Sequence, residues 1–256
     1  MLEARNLTKR FSGVTVLHDV SFDVKPGEVV GYLGPNGSGK TTTSRLLTGL
    51  MDPSSGTVLF EGQGIHVDLT TYRRRLGYVP EEPFLYPFLS GLEYLELVGR
   101  LREMPASLLD RKAPALLELF GLTAAAEQAL SSYSKGMKQK ILIIAALLHD
   151  PDVIILDEPD SGLDATSIIV MRHLVRALAA RGKSVLYSSH VLELVEKLCT
   201  RVIVLYRGAI VANDSPEHLR SLMHRESLEE VFAQLVLRTD PEVTARDIAD
   251  VVGLHA

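Results

Sequence analysis

The first part of the chain alternates short apolar runs with turn residues. Gly13 and Gly27 mark two of the turns, and the apolar runs beside them have the length of β-strands. Strands are therefore predicted at residues 2–7, 14–22, 29–33 and 57–60. After the third run, leucines recur at helical spacing until Gly49. This spacing predicts a helix between the third and fourth strands.

The middle of the chain has a different pattern. From residue 81 the apolar positions recur at helical spacing, and no strand pattern interrupts them until residue 153. Helices are predicted at residues 92–101, 107–120 and 141–148. A strand that ends at Pro80 precedes this region, and a buried strand at residues 153–156 follows it. The order predicts an α/β core with a helical lobe inserted at about residues 81–150.

Strand and helix patterns then alternate again. Helices are predicted at residues 168–180 and 192–199, a strand at 184–188 and a hairpin at 202–211. We expect a main domain at residues 1–220 and a helical tail at residues 221–256. Ser227 is a plausible N-cap for a tail helix at residues 227–237. The pattern leaves open whether this helix packs on its own lobe or on a partner subunit.

Composition narrows the class of protein. Hydrophobic residues make up 46% and charged residues 23% of the chain, which is typical of a globular protein with a full core. The net charge of −5 and the lack of a basic block disfavour binding to nucleic acid, so no such partner is expected. Cys199 is the only cysteine, which excludes an intrachain disulfide and fits a reducing cytosol. Without a signal-peptide pattern or a long uncharged apolar run, the chain alone is expected to be soluble.

The candidate chemistry begins with the phosphate loop, Gly34-Pro35-Asn36-Gly37-Ser38-Gly39-Lys40-Thr41, which Thr42 follows. It reads G-x-x-x-x-G-K-T between a predicted strand and a predicted helix, the context that a phosphate-binding loop requires. Its glycines allow successive backbone N–H groups to point into one concavity, to which the helix adds its positive end. Lys40 is placed to reach the β- and γ-phosphates, and the Thr41 hydroxyl to coordinate Mg²⁺. The loop therefore predicts binding of a nucleoside triphosphate.

Two carboxylates end the strand predicted at residues 153–156. Asp157 is expected to lie near the Mg²⁺ bound by Thr41, because phosphoryl transfer needs an acidic residue held rigidly beside the metal. Glu158 stands where the chain turns away at Pro159, and it is a candidate to polarise an attacking water. An acidic loop start without function is the alternative. The phosphate loop upstream favours the catalytic interpretation.

Three further segments resemble motifs of the ATP-binding cassette (ABC) ATPases. Residues 133–140 read Tyr-Ser-Lys-Gly-Met-Lys-Gln-Lys and look like the family's signature loop, which usually reads L-S-G-G-Q. Residues 161–164 resemble its D-loop, and His190 resembles its switch histidine. Every motif occurs in the family's order, and the resemblance covers about residues 2–220.

The resemblance implies a fold and a mode of action. The fold would be α/β, a P-loop NTPase core with an N-terminal antiparallel β subdomain and an inserted α-helical subdomain. The chain would be an ATPase with ATP and Mg²⁺ as cofactors, dimerising around two ATP molecules with a second copy of itself or a homologous subunit. Closure of the dimer would drive separate transmembrane permease subunits. The chain is therefore expected at the cytoplasmic face of the membrane, held there through its partner.

The resemblance also assigns roles within one subunit. Phe11 would stack on the adenine base, and residues 34–42 would hold the triphosphate and the metal. Asp157 would orient Mg²⁺ and Glu158 would act as the general base, while His190 would contact the γ-phosphate.

The second subunit would complete each site with its signature loop. The loop would contribute Ser134, Lys135, Gly136 and Met137 at the start of a helix, and Asp164 of the D-loop would lie near the seam. A serine and a glycine at a helix N-terminus form an anion site, which makes this role physically sensible.

The sequence departs from the family pattern at four positions. Lys135 and Met137 replace the usual Gly and Gln of the signature loop. Glu81 stands where most members have a glutamine that senses Mg²⁺, and a carboxylate there is a candidate direct ligand of the metal. Asp160 occupies a position that is less acidic in many relatives.

Residues 83–89, the aromatic segment, read Pro-Phe-Leu-Tyr-Pro-Phe-Leu. This segment either docks on a membrane subunit or packs the helical lobe against the core, and the sequence does not favour one over the other. The variants Tyr-Ser-Lys-Gly-Met and Pro-Glu-Glu look like those of bacterial exporters with separate membrane subunits, so an exporter subunit is the favoured function. The alternative is a soluble ABC ATPase that remodels ribosomes or DNA. A P-loop GTPase or a small-molecule kinase would explain the phosphate loop alone. The GTPase lacks its Asn-Lys-x-Asp selector here, and neither explains residues 134–136.

Overall fold

A computed structural model describes residues 1–82, 84–236 and Ala249 of the chain. The part of the fold before the inserted helices contains six strands and two helices. They are β1 (Leu2–Phe11), β2 (Val14–Val24), β3 (Val29–Leu33), α1 (Lys40–Leu47), β4 (Ser55–Phe60), β5 (Gln63–Gly64), α2 (Leu69–Arg74) and β6 (Leu76–Val79). Strands β1 to β4 and β6 lie at the predicted positions, with β1 extending to Phe11, whereas the two-residue strand β5 was not predicted. The sequence pattern did not predict α2, which is only six residues long and begins where Asp68 caps the backbone of Thr71.

Three helices follow β6, and strands alternate with helices after them. In chain order, these helices and strands are α3 (Gly91–Leu101), α4 (Ala106–Leu119), α5 (Lys135–Leu147), β7 (Val153–Asp157), α6 (Ala165–Ala180), β8 (Ser184–Ser188), α7 (Leu192–Leu198), β9 (Arg201–Tyr206), β10 (Ala209–Asp214), α8 (Pro216–Met223) and α9 (Leu228–Val236). Helix α5 starts before the apolar run that predicted it, because its first turn is polar and carries no hydrophobic period.

A six-stranded sheet forms the centre of the molecule. Its strand order is β10-β9-β3-β8-β7-β6, and every neighbouring pair is parallel except β9 with β10. Strands β3, β7 and β8 are buried along their whole length, because both faces of a parallel sheet are covered. The phosphate loop follows the carboxyl end of β3, and Glu158 follows that of β7. In open α/β sheets this edge is where ligands bind.

A second, antiparallel sheet packs on one face of the first. Its strand order is β2-β1-β4-β5. Buried side chains from both sheets share one hydrophobic cluster, in which Leu7 and Phe22 of the small sheet meet Tyr32 of β3. The rings of Phe22 and Tyr32 lie 5.4 Å apart. This sheet therefore braces the strand that leads into the phosphate loop, and the α/β fold class predicted from the sequence is confirmed.

Helices α3, α4 and α5 lie between β6 and β7 and have a core of their own. The start of α3 is fixed by a capping box in which Ser90 and Glu93 each satisfy the other's backbone N–H. Helix α5 contributes to two cores at once. Its residue Ile144 packs with the helical lobe, whereas Ile143 packs with the parallel sheet.

The C-terminal helix α9 packs on its own chain. Leu228 and Val231 are fully buried and belong to the same core as Val195 of α7. The sequence left open whether the tail helix packs on its own chain or on a partner subunit, and for residues 228–236 the structure shows packing on its own chain. Residues 237–256 of the expected tail lie outside the described residues apart from Ala249. Among the helices that the structure describes, none is long and apolar enough to span a membrane.

Candidate functional site

The phosphate loop is shaped by its glycines. A side chain at Gly34 would place its Cβ 2.4 Å from the carbonyl oxygen of Leu205 and from Ser38 Oγ, so no larger residue fits there. Gly39 precedes α1 with φ of +110°, a conformation that L side chains rarely adopt. The loop therefore turns tightly from β3 into α1 and leaves the positive end of that helix open to a ligand.

A cavity of about 280 Å³ opens in front of this helix end. Its lining combines the phosphate loop with side chains from elsewhere in the fold. The lining residues are Val16, Pro35, Asn36, Gly37, Gly39, Lys40, Thr41, Thr42, Glu81 and Glu158. Lys40 Nζ donates to the carbonyl oxygen of Gly34 at 2.7 Å, which holds the ammonium group over the loop. Most of the predicted triphosphate-binding residues thus share one cavity with the predicted general base.

Thr41 and Glu81 bring a hydroxyl and a carboxylate together in the cavity lining, whereas Asp157 ends strand β7 and is not itself a lining residue. Thr41 Oγ1 lies 3.3 Å from Glu81 Oε2. Asp157 Oδ1 accepts a hydrogen bond from Ser188 Oγ, whereas its buried Oδ2 has no partner among the described residues. Burial raises the pKa of Asp157, and the neighbouring charges of Glu81 and Glu158 add to that effect.

This donor set suits a hard divalent cation. Mg²⁺ prefers oxygen ligands and is usually held by one or two carboxylates together with phosphate oxygens. An orphaned carboxylate oxygen and neighbouring like charges are both relieved when a cation is present. The residues Thr41, Glu81 and Asp157 therefore fit the metal that the sequence predicted.

Glu158 and His190 form a close pair at the edge of the cavity. Glu158 Oε2 accepts hydrogen bonds from His190 Nδ1 at 2.7 Å and from the His190 backbone N–H at 3.2 Å. The Glu158 side chain is 11% exposed, and that of His190 is 76% exposed. Because an ionised carboxylate only accepts, Nδ1 carries the proton in this contact. The backbone of Glu158 has φ of +51°, a left-handed conformation that costs a non-glycine residue free energy and that eight other described residues share.

The signature loop lies outside this cavity. Ser134 caps α5 by accepting a hydrogen bond from the Met137 N–H at 3.2 Å. Gly136 lies so close to the D-loop that an added Cβ would be 2.5 Å from the carbonyl oxygen of Gly162. None of the residues from Ser134 to Met137 lines the cavity that holds Lys40. The exposed N-terminal end of α5 is thus separate from the cavity at the phosphate loop, and its predicted role toward a nucleotide remains a prediction.

Comparison with known proteins decides the family. The family model for ABC transporters matches residues 17–161. The chain belongs to the ABC transporter family. The predicted recognition is therefore confirmed, and with it the ATPase activity and the binding of ATP.

Curated relatives of this ABC chain include proteins with and without an assigned cargo. It is 42% identical to the uncharacterized ABC transporter ATP-binding protein YhcH of Bacillus subtilis, over 82% of this chain and 68% of the relative. It is 43% identical to the uncharacterized protein all4389 of Nostoc sp., over 80% of this chain and 62% of the relative. The Nod factor export ATP-binding protein I of Burkholderia lata is 38% identical over 85% of this chain and 72% of the relative. The chain thus spans about two thirds of the length of these relatives.

Solved structures of ABC cassettes superpose on the chain. An ATP-binding subunit of an ABC transporter aligns with a TM-score of 0.87 at 34% identity, over 92% of this chain and 99% of that one. The cassette MJ0796, solved as a dimer, aligns with a TM-score of 0.78 at 26% identity, over 84% of this chain and 98% of that one. A post-hydrolysis dimer of MJ0796 bound to ADP and Pi aligns with a TM-score of 0.77.

In this ABC cassette, Asp164 of the D-loop caps helix α6. Its Oδ1 accepts from the Ser167 N–H at 2.8 Å and its Oδ2 from Ser167 Oγ at 2.9 Å. These hydrogen bonds lower the pKa of Asp164. The predicted place of Asp164 at a seam between subunits remains a prediction.

Phe11 lies at the end of β1, beside the cavity rather than in its lining. Its ring is 41% exposed and lies 5.2 Å below the ammonium group of Lys9. Val16 of the adjoining strand does line the cavity, and the sequence analysis did not single it out. Val16 could have been found from the hairpin, in which Phe11 pairs with Val14. Residues two apart in a strand face the same side of the sheet, so Val16 lies on the same face as Val14.

Two further residues around Glu158 were missed. The Ser188 hydroxyl donates to Asp157, and the Glu158 N–H donates to Ser188 Oγ at 3.2 Å. Tyr187 OH donates to Asp160 Oδ2 at 2.6 Å. Tyr187 and Ser188 end strand β8, and only Ser189 separates them from His190. Their nearness to the predicted switch histidine was a signal that could have found them.

Proposed function

We propose that this chain is the nucleotide-binding subunit of an ABC exporter, which dimerises around two ATP molecules and drives separate transmembrane subunits. One observation carries the proposal. Lys40 and the His190-bound Glu158 face one cavity, while Ser134 is exposed on a different surface. Each chain thus offers the two unlike halves of a nucleotide site.

The first half holds the nucleotide. Backbone N–H groups of the phosphate loop and the Lys40 ammonium bind the β- and γ-phosphates, and the ring of Phe11 stacks on the base. Thr41, Glu81 and Asp157 are the residues that would hold Mg²⁺. When bound there, the ion would supply positive charge against the phosphates.

Glu158 activates the water that attacks the γ-phosphorus. The Glu158 carboxylate is shielded from bulk water by the surrounding protein, and the two hydrogen bonds from His190 fix one of its oxygens. The other oxygen stays available to accept the proton of the attacking water. His190 also presents a largely exposed ring to the γ-phosphate.

A second copy of the chain supplies the other half. Ser134 and Gly136 lie at the positive end of α5 and suit the γ-phosphate of a nucleotide held by the partner subunit. Lys135 adds a positive charge next to them, and Asp164 lies on the same side through the contact of the D-loop with Gly136. A two-fold arrangement repeats the contact and closes two equal sites. The dimeric MJ0796 cassette supports this arrangement.

The aromatic segment suits a permease partner. Phe84, Tyr86 and Phe88 are 84%, 54% and 74% exposed, whereas Leu85 and Leu89 pack into the helical lobe. The segment therefore packs through its leucines and leaves its aromatic rings free, and exposed aromatic rings are frequent anchors of protein interfaces. We assign them to a cytoplasmic segment of the transmembrane subunit, which places the chain at the cytoplasmic face of the membrane. The relative named for Nod factor export supports outward transport.

The test combines a trapped dimer with a membrane pull-down. Glu158→Gln is expected to retain ATP binding, lower kcat about 10³-fold and elute as a dimer only when ATP is present, as measured by size exclusion with light scattering. Unchanged turnover would exclude Glu158 as the base.

The tagged Glu158→Gln chain is then recovered from detergent-solubilised native membranes. A polytopic membrane protein in near-equal amount is the expected partner, and Asp150→Asn at a distant surface is the matched control for the charge change. Recovery of ribosomal or DNA-bound proteins instead would favour the remodelling ATPase and overturn the transporter assignment.

A further inference from the structure

The carboxylate of Asp160 takes part in contacts that the proposed mechanism has not used. Asp160 lies in the turn after β7, two residues beyond Glu158. Its Oδ2 accepts a hydrogen bond from Tyr187 OH at 2.6 Å and a longer one from Ser189 Oγ at 3.4 Å. Its Oδ1 is buried and has no partner within the described part of the chain. A half-paired, part-buried carboxylate is costly, so its presence beside a catalytic pair calls for a reason.

The partners of Asp160 belong to the segment that carries His190, residues 187–191, which we name the switch loop. The Ser189 hydroxyl that donates to Asp160 also accepts a hydrogen bond from the Val191 N–H at 3.1 Å. The N–H between them, that of His190, donates to Glu158 Oε2. The switch loop is thus attached to Asp160 through the two residues Tyr187 and Ser189, which precede the histidine, and to Glu158 through His190 itself. Within the same loop, Ser188 also donates to Asp157.

We propose that Asp160 is a positioning residue for His190, fastening the switch loop through Tyr187 and Ser189 so that the imidazole stays on Glu158. This inference rests on the proposed role of the Glu158–His190 pair. Without Asp160, the Ser189 hydroxyl keeps its bond to Val191 but loses its anchor to the opposite loop. The side chain of His190 would then rely on its contact with Glu158, while the bonds of Ser188 to Asp157 and to the Glu158 N–H would still hold the end of β8.

The charge of Asp160 serves the same end. Burial raises the pKa of Asp160, and the charge of Glu158 adds to this, whereas the hydrogen bonds from Tyr187 and Ser189 and the nearby His190 lower it. A group that served stability alone would do better as a neutral acceptor, because a desolvated charge costs free energy. Asp160→Asn keeps one oxygen able to accept from Tyr187 and removes that cost. We therefore expect Asp160→Asn to melt at the wild-type temperature or above it.

The first experiment measures amide hydrogen exchange by mass spectrometry on the full chain. Asp160→Ala and Tyr187→Phe are each expected to raise the exchange rate of a peptide spanning residues 188–192 about tenfold, because the loop opens more often. Asp150→Asn, a surface carboxylate paired with Lys183 at 2.8 Å, is the matched control and leaves that peptide unchanged. Unchanged exchange in both Asp160→Ala and Tyr187→Phe would overturn the proposal.

The second experiment is a double-mutant cycle on ATP turnover. Asp160→Ala is expected to lower kcat about tenfold with KM for ATP within about twofold, and Asp160→Asn to lose less. In a His190→Ala background, Asp160→Ala should lower kcat by less than twofold further, since its effect passes through the histidine. Additive losses, or a lower melting temperature with a raised KM, would show a merely structural residue and refute the positioning role.

The failure of this inference can be told apart from failure of the proposed function. If Glu158→Gln and His190→Ala lose turnover while Asp160→Ala keeps it, Asp160 alone is wrongly assigned. If Glu158→Gln and His190→Ala both keep wild-type turnover, the catalytic pair itself falls.

Discussion

The phosphate loop and the signature loop are both helix N-termini with a glycine held close to other backbone, yet the chain surrounds them differently. In front of α1 lie Lys40, Glu81 and Glu158, all facing one cavity. In front of α5, Ser134 is exposed, and its hydroxyl serves only the first turn of its own helix. One helix end is enclosed by catalytic groups and the other is open.

This difference teaches that similar local physics gives different functions in different settings. The end of α1 has the charge and the carboxylates needed for chemistry. The end of α5 has hydrogen-bond donors and Lys135 but no group that could activate water. In the proposed dimer the two ends face each other across ATP, so an experiment that disables one end in each of two chains tests their division of labour.

The largest effect is expected at the enclosed end. Lys40→Ala removes the ammonium group that the phosphate loop presents, and we expect Kd for ATP to rise about 100-fold, or ~2.7 kcal/mol. Equilibrium titration with ATP measures this change. Lys197→Ala on α7, where the lysine pairs with Glu193 on the surface, is the matched control and should bind as the wild type does. A Kd for ATP within about threefold of the wild-type value in Lys40→Ala would contradict the assignment of the enclosed end.

An intermediate effect should follow from mixing two defective chains. Lys40→Ala disables the enclosed end and Ser134→Arg blocks the open end, so each variant alone should hydrolyse ATP at about 1% of the wild-type rate or less. In an equal mixture, half of the dimers pair one of each and contain one intact site, which gives about a quarter of wild-type turnover. A mixture no more active than its components would break the proposed division between the two ends.

The smallest effect is expected at Met137, the family departure nearest the open end. Its side chain packs against the core of the helical lobe, so it contributes to stability more than to phosphate contact. Met137→Gln should lower the free energy of unfolding by about 1 kcal/mol and leave kcat within about twofold. Chemical denaturation and steady-state turnover check the two parts. A large gain or loss of kcat with unchanged stability would mean that the side chain faces the nucleotide.

The enclosed end could be predicted from the sequence because its chemistry is local. The glycines, Lys40 and Thr41 follow one another along the chain, and their strand and helix flanks are visible as apolar patterns. Glu158 was within reach for the same reason, since it follows a buried strand directly.

The support around Glu158 could not be predicted in the same way. Asp160 and Tyr187 are 27 positions apart in the chain, and their contact exists because β7 and β8 lie side by side. No local period reports such a pairing. Helix α2 was not predicted from the sequence for another reason. Its six residues make fewer than two helical turns, which is too short for a periodic apolar face to be recognised.

Helix α5 has a mechanical consequence. Ile143 is buried in the core of the parallel sheet and Ile144 in the core of the helical lobe. Helix α5 therefore connects the two lobes, and a rotation of one lobe relative to the other would disrupt the packing of this helix. Its tip carries Ser134, and the chain beyond its far end enters β7, the strand that ends at Asp157. In the proposed dimer, a nucleotide of the neighbouring subunit would contact the start of α5, and a shift of this helix would act on both cores in which it is packed. Helix α5 would thus link the signature loop of one subunit to strand β7, which leads to the catalytic carboxylates of the same subunit.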